Sequence, residues 1–171
     1  MLVAQVGMNT TRIGVSTPRG FNPFSWLVLK LTKSTASHAF FVYYDEDWDT
    51  DMVMDAHEEG FRILPLTQFE KKNVIVATFH PVVSIEVGVR FVALTFLGTP
   101  FDFGGLFGTA FVLLGRWLKR KWHNPLQSAR SVFCSEAAVV ALQKSGYPGA
   151  EKLVPQDTTP QDLLQFFQGT P

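Results

Sequence analysis

An α+β fold is the class this sequence predicts, and three observations predict it. Segments dense in aromatic and β-branched residues, such as "SHAFFVYYD" and "NVIVATFHP", fall in the first half. The clearest helical pattern, "CSEAAVVALQKSG", and a well-marked helix start, "TTPQDLLQFF", fall near the end. Apolar residues make up 46% of the 171 residues against 18% charged, enough for a real core and too apolar for wholesale disorder. Strands first and helices afterwards is the order of an α+β domain, here one domain spanning 1–171.

Taken in order, "NTTRIGVSTPRGFNPFSW" carries Pro18, Gly20 and Pro23 and reads as loop, so residues 1–24 are expected to be an N-terminal loop or arm. "SWLVLKLT" suits a short helix or a buried strand, because periodicity does not separate the two over this length. "SHAFFVYYD" predicts a strand, Asp45 to Asp51 the hairpin connection, and "MVMDAH" the returning strand. "GFRILPL" predicts a further strand that Pro65 ends, and "NVIVATFHP" one closed by Pro81. "VSIEVGVRFVALTFLG" reads as a helix ending at Gly98. "FGGLFGTAFVLLGRWLKRKW" reads as a buried helix, with an interfacial one as the alternative; it is too short to span a bilayer, which takes about 20 apolar residues. The helix in "CSEAAVVALQKSG" is stopped by Gly146 and Pro148 and is apolar nearly all round, hence buried. In the last segment Thr159 can cap, Pro160 suits the first helical position, and Asp162 sits in the positive first turn.

Charge excludes some functions. Fifteen Lys and Arg balance fifteen Asp and Glu, so no global field for nucleic acid exists. Local bias remains. Asp45, Glu46, Asp47, Asp49, Asp51, Asp55, Glu58 and Glu59 crowd one hairpin, and Arg116, Lys119, Arg120 and Lys121 crowd the end of an apolar run. One cysteine excludes an internal disulfide framework and a multi-cysteine metal site. The first residues show no secretory signal and no segment reads as a membrane span, so a cytoplasmic location or carriage in a larger particle is expected.

Cys134 opens its helix. Unpaired N–H groups and the positive end of the helix dipole favour a thiolate there, and the same N–H groups can receive an oxyanion. A nucleophile also needs a base. His38, His57, His80 and His123 all precede Cys134. His38 opens a strand, a rigid place to hold an imidazole. Asp55 and His57 share a strand face, and if that strand pairs with the one bearing His38, either can orient the ring.

"LGTPFDFGG" followed by "FCSEAAVVALQKSG" resembles the NlpC/p60 superfamily of papain-like cysteine hydrolases. That family has a "G-x-P-Y-x-(aromatic)-G-G" segment, then "(D)-C-S" opening a helix. Its catalytic histidine usually follows the cysteine, and no histidine follows Cys134 here. "ASHAFFVYY", "MVMDAHEEGFRILPL" and "VPQDTTPQDLLQFF" instead resemble the circularly permuted, YiiX-like branch, over about residues 25 to 167. The resemblance implies a papain-like fold, with a small antiparallel sheet or half-barrel packed on helices. It implies Cys134 as nucleophile, His38 as general base, and Asp55 as the orienting acid with His57 its competitor. No cofactor or metal is implied. Two departures stand out: Phe101 replaces the tyrosine that can help bind the oxyanion, and residues 106–130 form an extra helical insertion in a long spacer.

Three functions follow as expectations. The first is a thiol hydrolase cleaving an amide, in a peptidoglycan stem peptide or similar cell-wall peptide. The second is an acyltransferase or phospholipase, with a lipid surface meeting Arg116, Lys119, Arg120 and Lys121. The third is a silent papain-like module in a virion or envelope assembly.

Overall fold

The computed structural model describes residues 11–57, 60–97 and 134–169. Five antiparallel strands form one sheet: β1 (Arg12–Pro18), β2 (His38–Asp45), β3 (Thr50–His57), β4 (Gly60–Pro65) and β5 (Asn73–Phe79), in spatial order β4-β3-β2-β1-β5. The helices are α1 (Pro23–Thr32), α2 (Leu66–Lys72), α3 (Glu86–Phe96), α4 (Cys134–Lys144) and α5 (Pro160–Gln168). The architecture is α+β. Among the described residues no helix is long and apolar enough to cross a membrane.

The expected loop or arm at residues 1–24 is corrected from residue 12 onward, residues 1–10 lying outside the described residues. Arg12–Pro18 is a strand beside the centre of the sheet, paired with β2 and β5, and α1 begins at Pro23. Its loop-like composition has a packing reason. A Cβ on Gly14 would sit 2.2 Å from the Phe40 ring, so the small residue admits the aromatic side chain across the strand pair. Pro18 is tolerated because it is the last strand residue. "SWLVLKLT" resolves as helix: the Asn22 side chain accepts from the N–H of Ser25 at 3.0 Å and Pro23 takes the first position. The short helix α2 was not expected, and it turns directly out of Pro65. The residues of the insertion at 106–130, with Phe101, His123, Arg116, Lys119, Arg120 and Lys121, lie outside the described residues.

Strand alternation gives the sheet two apolar faces. On one, Ile13, Val15, Ala39, Phe41, Met54 and Ala56 pack under α3, α4 and α5. On the other, Phe40, Val42 and Val53 pack around Phe69 of α2, whose ring lies 4.6 Å from that of Phe40. A bulge at Val15/Ser16 leaves Val76 as an extra residue of β5, so that Ala77 joins the helix side and Ile75 the α2 side.

The helix side is closely fitted. A Cβ on Gly88 of α3 would meet the Ala141 carbonyl oxygen at 1.8 Å, and the Gly88 N–H donates to Ser145 Oγ at 2.9 Å. Helices α3 and α4 therefore touch through backbone. The end of the chain secures α4 at both ends. Ser135 Oγ donates to the Thr158 carbonyl at 2.6 Å, and Gln143 Nε2 donates to the carbonyls of Ala150 and Leu153. Helix α5 opens as its sequence suggests. The Asp162 N–H donates to Thr159 Oγ1 at 3.2 Å, and the Thr159 N–H donates back to Asp162 Oδ2 at 2.8 Å. Such a capping box stabilises a helix by about 1 kcal/mol.

Candidate active site

Register sets the site. Phe40 of β2 faces Asp55 of β3, and Asp55 faces Arg62 of β4. Residues two apart share a face, so His38, Asp55 and Arg62 lie on the α2 side of three adjacent strands. His38 also faces Ser16 of β1 beside the bulge, and its ring stacks on Phe69 at 6.1 Å between centroids.

The side chains interlock. His38 Nε2 lies 3.0 Å from Asp55 Oδ2. Arg62 Nε donates to Asp55 Oδ1 at 2.9 Å, and Arg62 Nη2 donates to Oδ2 at 3.4 Å. Side-chain exposure is 1% for Asp55, 17% for His38 and 24% for Arg62, so the carboxylate is wholly enclosed by its partners. With Nε2 committed to Asp55, Nδ1 is the ring nitrogen left to serve the thiol.

Cys134 completes the group from the helix side. As the first residue of α4, its thiol lies in hydrogen-bonding reach of the His38 ring and of the backbone N–H groups of Ala39 and Ser135. The anchoring of Ser135 to Thr158 fixes that first turn.

The charges support one another. Burial is the largest single influence on His38 and lowers it, but the negative charge of Cys134, the hydrogen bonds to Asp55 and Cys134 and the charge of Asp55 together outweigh it, and His38 is raised to about 10. Burial alone raises Cys134, but the charge and hydrogen bond of His38, with the N–H groups of Ala39 and Ser135, hold it below its ordinary value. Asp55 is pushed up by burial and pulled down further by His38 and Arg62, leaving it below the usual carboxylate range. The favoured protonation state is thus thiolate, imidazolium and carboxylate.

Cys134, His38 and Asp55 therefore come together. Of the two alternatives for the histidine's partner, the hydrogen bond at Nε2 belongs to Asp55; His57 ends β3 opposite Gly60. His80 follows β5 and is exposed. Sequence reasoning missed Arg62 and Phe69. The signal for Arg62 was available, because a two-residue link after His57 puts Arg62 opposite Asp55. Among the described residues no group of three or more His, Cys, Asp or Glu side chains could hold a metal ion. No family model and no curated protein matches the chain in sequence.

Proposed function

We propose that this chain is a cysteine hydrolase of the circularly permuted papain-like, NlpC/p60 type, cleaving an amide such as that of a peptidoglycan stem peptide. One observation carries the reading: the imidazole of His38 stands between the thiol of Cys134 and the buried carboxylate of Asp55. The motif order described above, from histidine strand through acidic strand to cysteine helix, supports the family and the substrate class.

The chemistry follows from the protonation state. The Cys134 thiolate attacks the amide carbonyl carbon, and the carbonyl π electrons move onto oxygen. N–H groups at the start of α4 receive that oxyanion. The oxyanion collapses, the C–N bond breaks, and the His38 imidazolium gives its proton to the leaving amine. A thioester on Cys134 remains. Neutral His38 then takes a proton from water as it adds to the thioester, and collapse of that second intermediate releases the acid and regenerates the thiolate beside the imidazolium. Asp55 stays ionised throughout and holds the ring by Nε2.

Purified peptidoglycan, digested by wild type and by Cys134→Ser and read by mass spectrometry, tests this. The expected result is one class of amide cleaved by wild type and left intact by the variant. Equal products from both, or none from either, would overturn the proposed substrate.

A further inference from the structure

We infer that Arg62 is a positioning residue for this site, gripping Asp55 so that one carboxylate oxygen is kept on His38 and the site's total charge stays at zero through turnover. The inference rests on the thiol-hydrolase reading.

The geometry shows a division of labour. Asp55 Oδ1 receives Arg62 Nε at 2.9 Å, while Oδ2 is shared between His38 Nε2 at 3.0 Å and Arg62 Nη2 at 3.4 Å. A carboxylate held at both oxygens cannot rotate away from the imidazole. The guanidinium fork matches a carboxylate in this way, whereas an ammonium supplies a point charge.

Charge balance points the same way. At rest the thiolate and Asp55 are negative, and imidazolium and Arg62 are positive, so the four sum to zero. In the acyl-enzyme, sulfur and imidazole are both neutral, and Asp55 and Arg62 again cancel. Remove Arg62 and both stages carry a buried net charge of −1. In the acyl-enzyme the carboxylate, 1% exposed, would then face only a neutral ring. Ionised carboxylates resist that environment and take up a proton instead. Arginine suits the post because it does not lose its proton.

The groups around the imidazole are few. From β3 it meets Asp55, from β4 Arg62 acts through Asp55, and from α4 comes Cys134. From α2 the stacking partner is Phe69, with Glu70, Lys71 and Lys72 exposed. His57 and Glu136 are the other titratable residues nearby on β3 and α4.

The test is the rate of Cys134 alkylation by iodoacetamide against pH, which needs no substrate, together with a melting curve. In Arg62→Gln, Asp55 protonates in a higher pH range, the imidazolium loses its support, and the acid limb of the profile moves up by about one unit, roughly a tenfold loss of rate on that flank. In Arg62→Lys the charge remains but the fork is lost, and the limb moves by a smaller, measurable amount. A role confined to stability would lower the melting temperature of both variants and leave the limb in place, and that result overturns the inference. If Arg62→Gln does not fold, an unmoved limb in Arg62→Lys overturns it instead. A wild-type thiol with an ordinary alkylation profile would sink the hydrolase reading itself, which is a different result from a low wild-type limb that ignores Arg62.

Discussion

The hairpin of β2 and β3 carries carboxylates at both of its ends, and the two ends behave differently. At the turn, Asp45, Glu46, Asp47, Asp49 and Asp51 stand in or near solvent. Their contacts are local or partly exposed: the Tyr44 hydroxyl donates to Asp49, and Arg12 pairs with Asp51 at 2.5 Å, with side chains 23% and 34% exposed. At the other end one carboxylate, Asp55, is enclosed by Arg62 and by a histidine that also meets a thiol. The acidic turn is the louder feature in the sequence, yet the proposed chemistry gathers around the buried acid. Charge in water is screened and cheap to hold. A charge out of water persists only with partners in fixed geometry, and that geometry makes a site.

The largest expected effect comes from breaking the enclosed end at its centre. His38→Ala removes the cation that holds the thiolate. A thiol returned toward its ordinary range, near 8.5, is ionised to well under about 1% at pH 6. Alkylation of Cys134 at pH 6 should fall on the order of a hundredfold or more, with little change at pH 10. The wild-type reaction should also show two limbs. If the chain hydrolyses amides as proposed, activity should rise as Cys134 ionises, below its ordinary pH range, and fall again as His38 loses its proton near 10, because neutral imidazole has no proton for the leaving amine. A single limb near pH 8.5 in wild type would contradict the ion pair.

Next in size is a direct comparison of the two ends. Asp55→Asn leaves the partly buried Arg62 without its counter-charge and should cost about 2 kcal/mol in chemical denaturation at pH 7. Asp51→Asn, at the half-exposed pair, should cost less than about 1 kcal/mol. The difference has a sign in pH. Asp55 is lowered on folding, so its contribution is full above the ordinary carboxylate value of 3.8 and is lost as pH falls through its folded value. The two variants should therefore differ most from each other at neutral pH and converge in acid. Equal costs at pH 7 would show that enclosure adds nothing.

Much of this was legible from residue order, for reasons that can be stated locally. Strands β2 to β5 declare themselves because apolar runs are punctuated by an acidic turn, by Pro65 and by Pro81. Helix α5 declares itself through Thr159, Pro160 and Asp162, whose roles depend on neighbours three residues away at most. What stayed hidden depends on distant partners. Strand β1 looks like loop because Pro18, Gly20 and Pro23 crowd its end, while the fit of Gly14 to Phe40, twenty-six positions along, has no local signal. Helix α2 is seven residues long, without a side-chain cap, and is held by the buried Phe69 with Leu66 packed beside it. Arg62 is inconspicuous in the sequence because Asp55 and His57 lie on one strand, while the residue that holds Asp55 sits on the next. Cys134 and His38 stood out because cysteine and histidine are scarce in this chain. Arginine is common, and only register marks this one.

The smallest expected effect bears on how fully the enclosed end is satisfied. Ser16 faces His38, is wholly buried, and its hydroxyl has no hydrogen-bond partner among the described residues. A buried hydroxyl without a partner is unfavourable by about 1–3 kcal/mol, so replacing it with hydrogen should be neutral or stabilising. Ser16→Ala is thus expected to leave the melting temperature unchanged or to raise it by a few degrees. It should leave the alkylation profile of Cys134 where it was, because Asp55, held by Arg62, already supplies the imidazole's polar contact on that face. A shift of the profile's acid limb in Ser16→Ala would mean that the hydroxyl takes part in the charge network. The contrast between the two ends would then be sharper still, with a fourth strand contributing to the enclosed one and none of its polar groups idle.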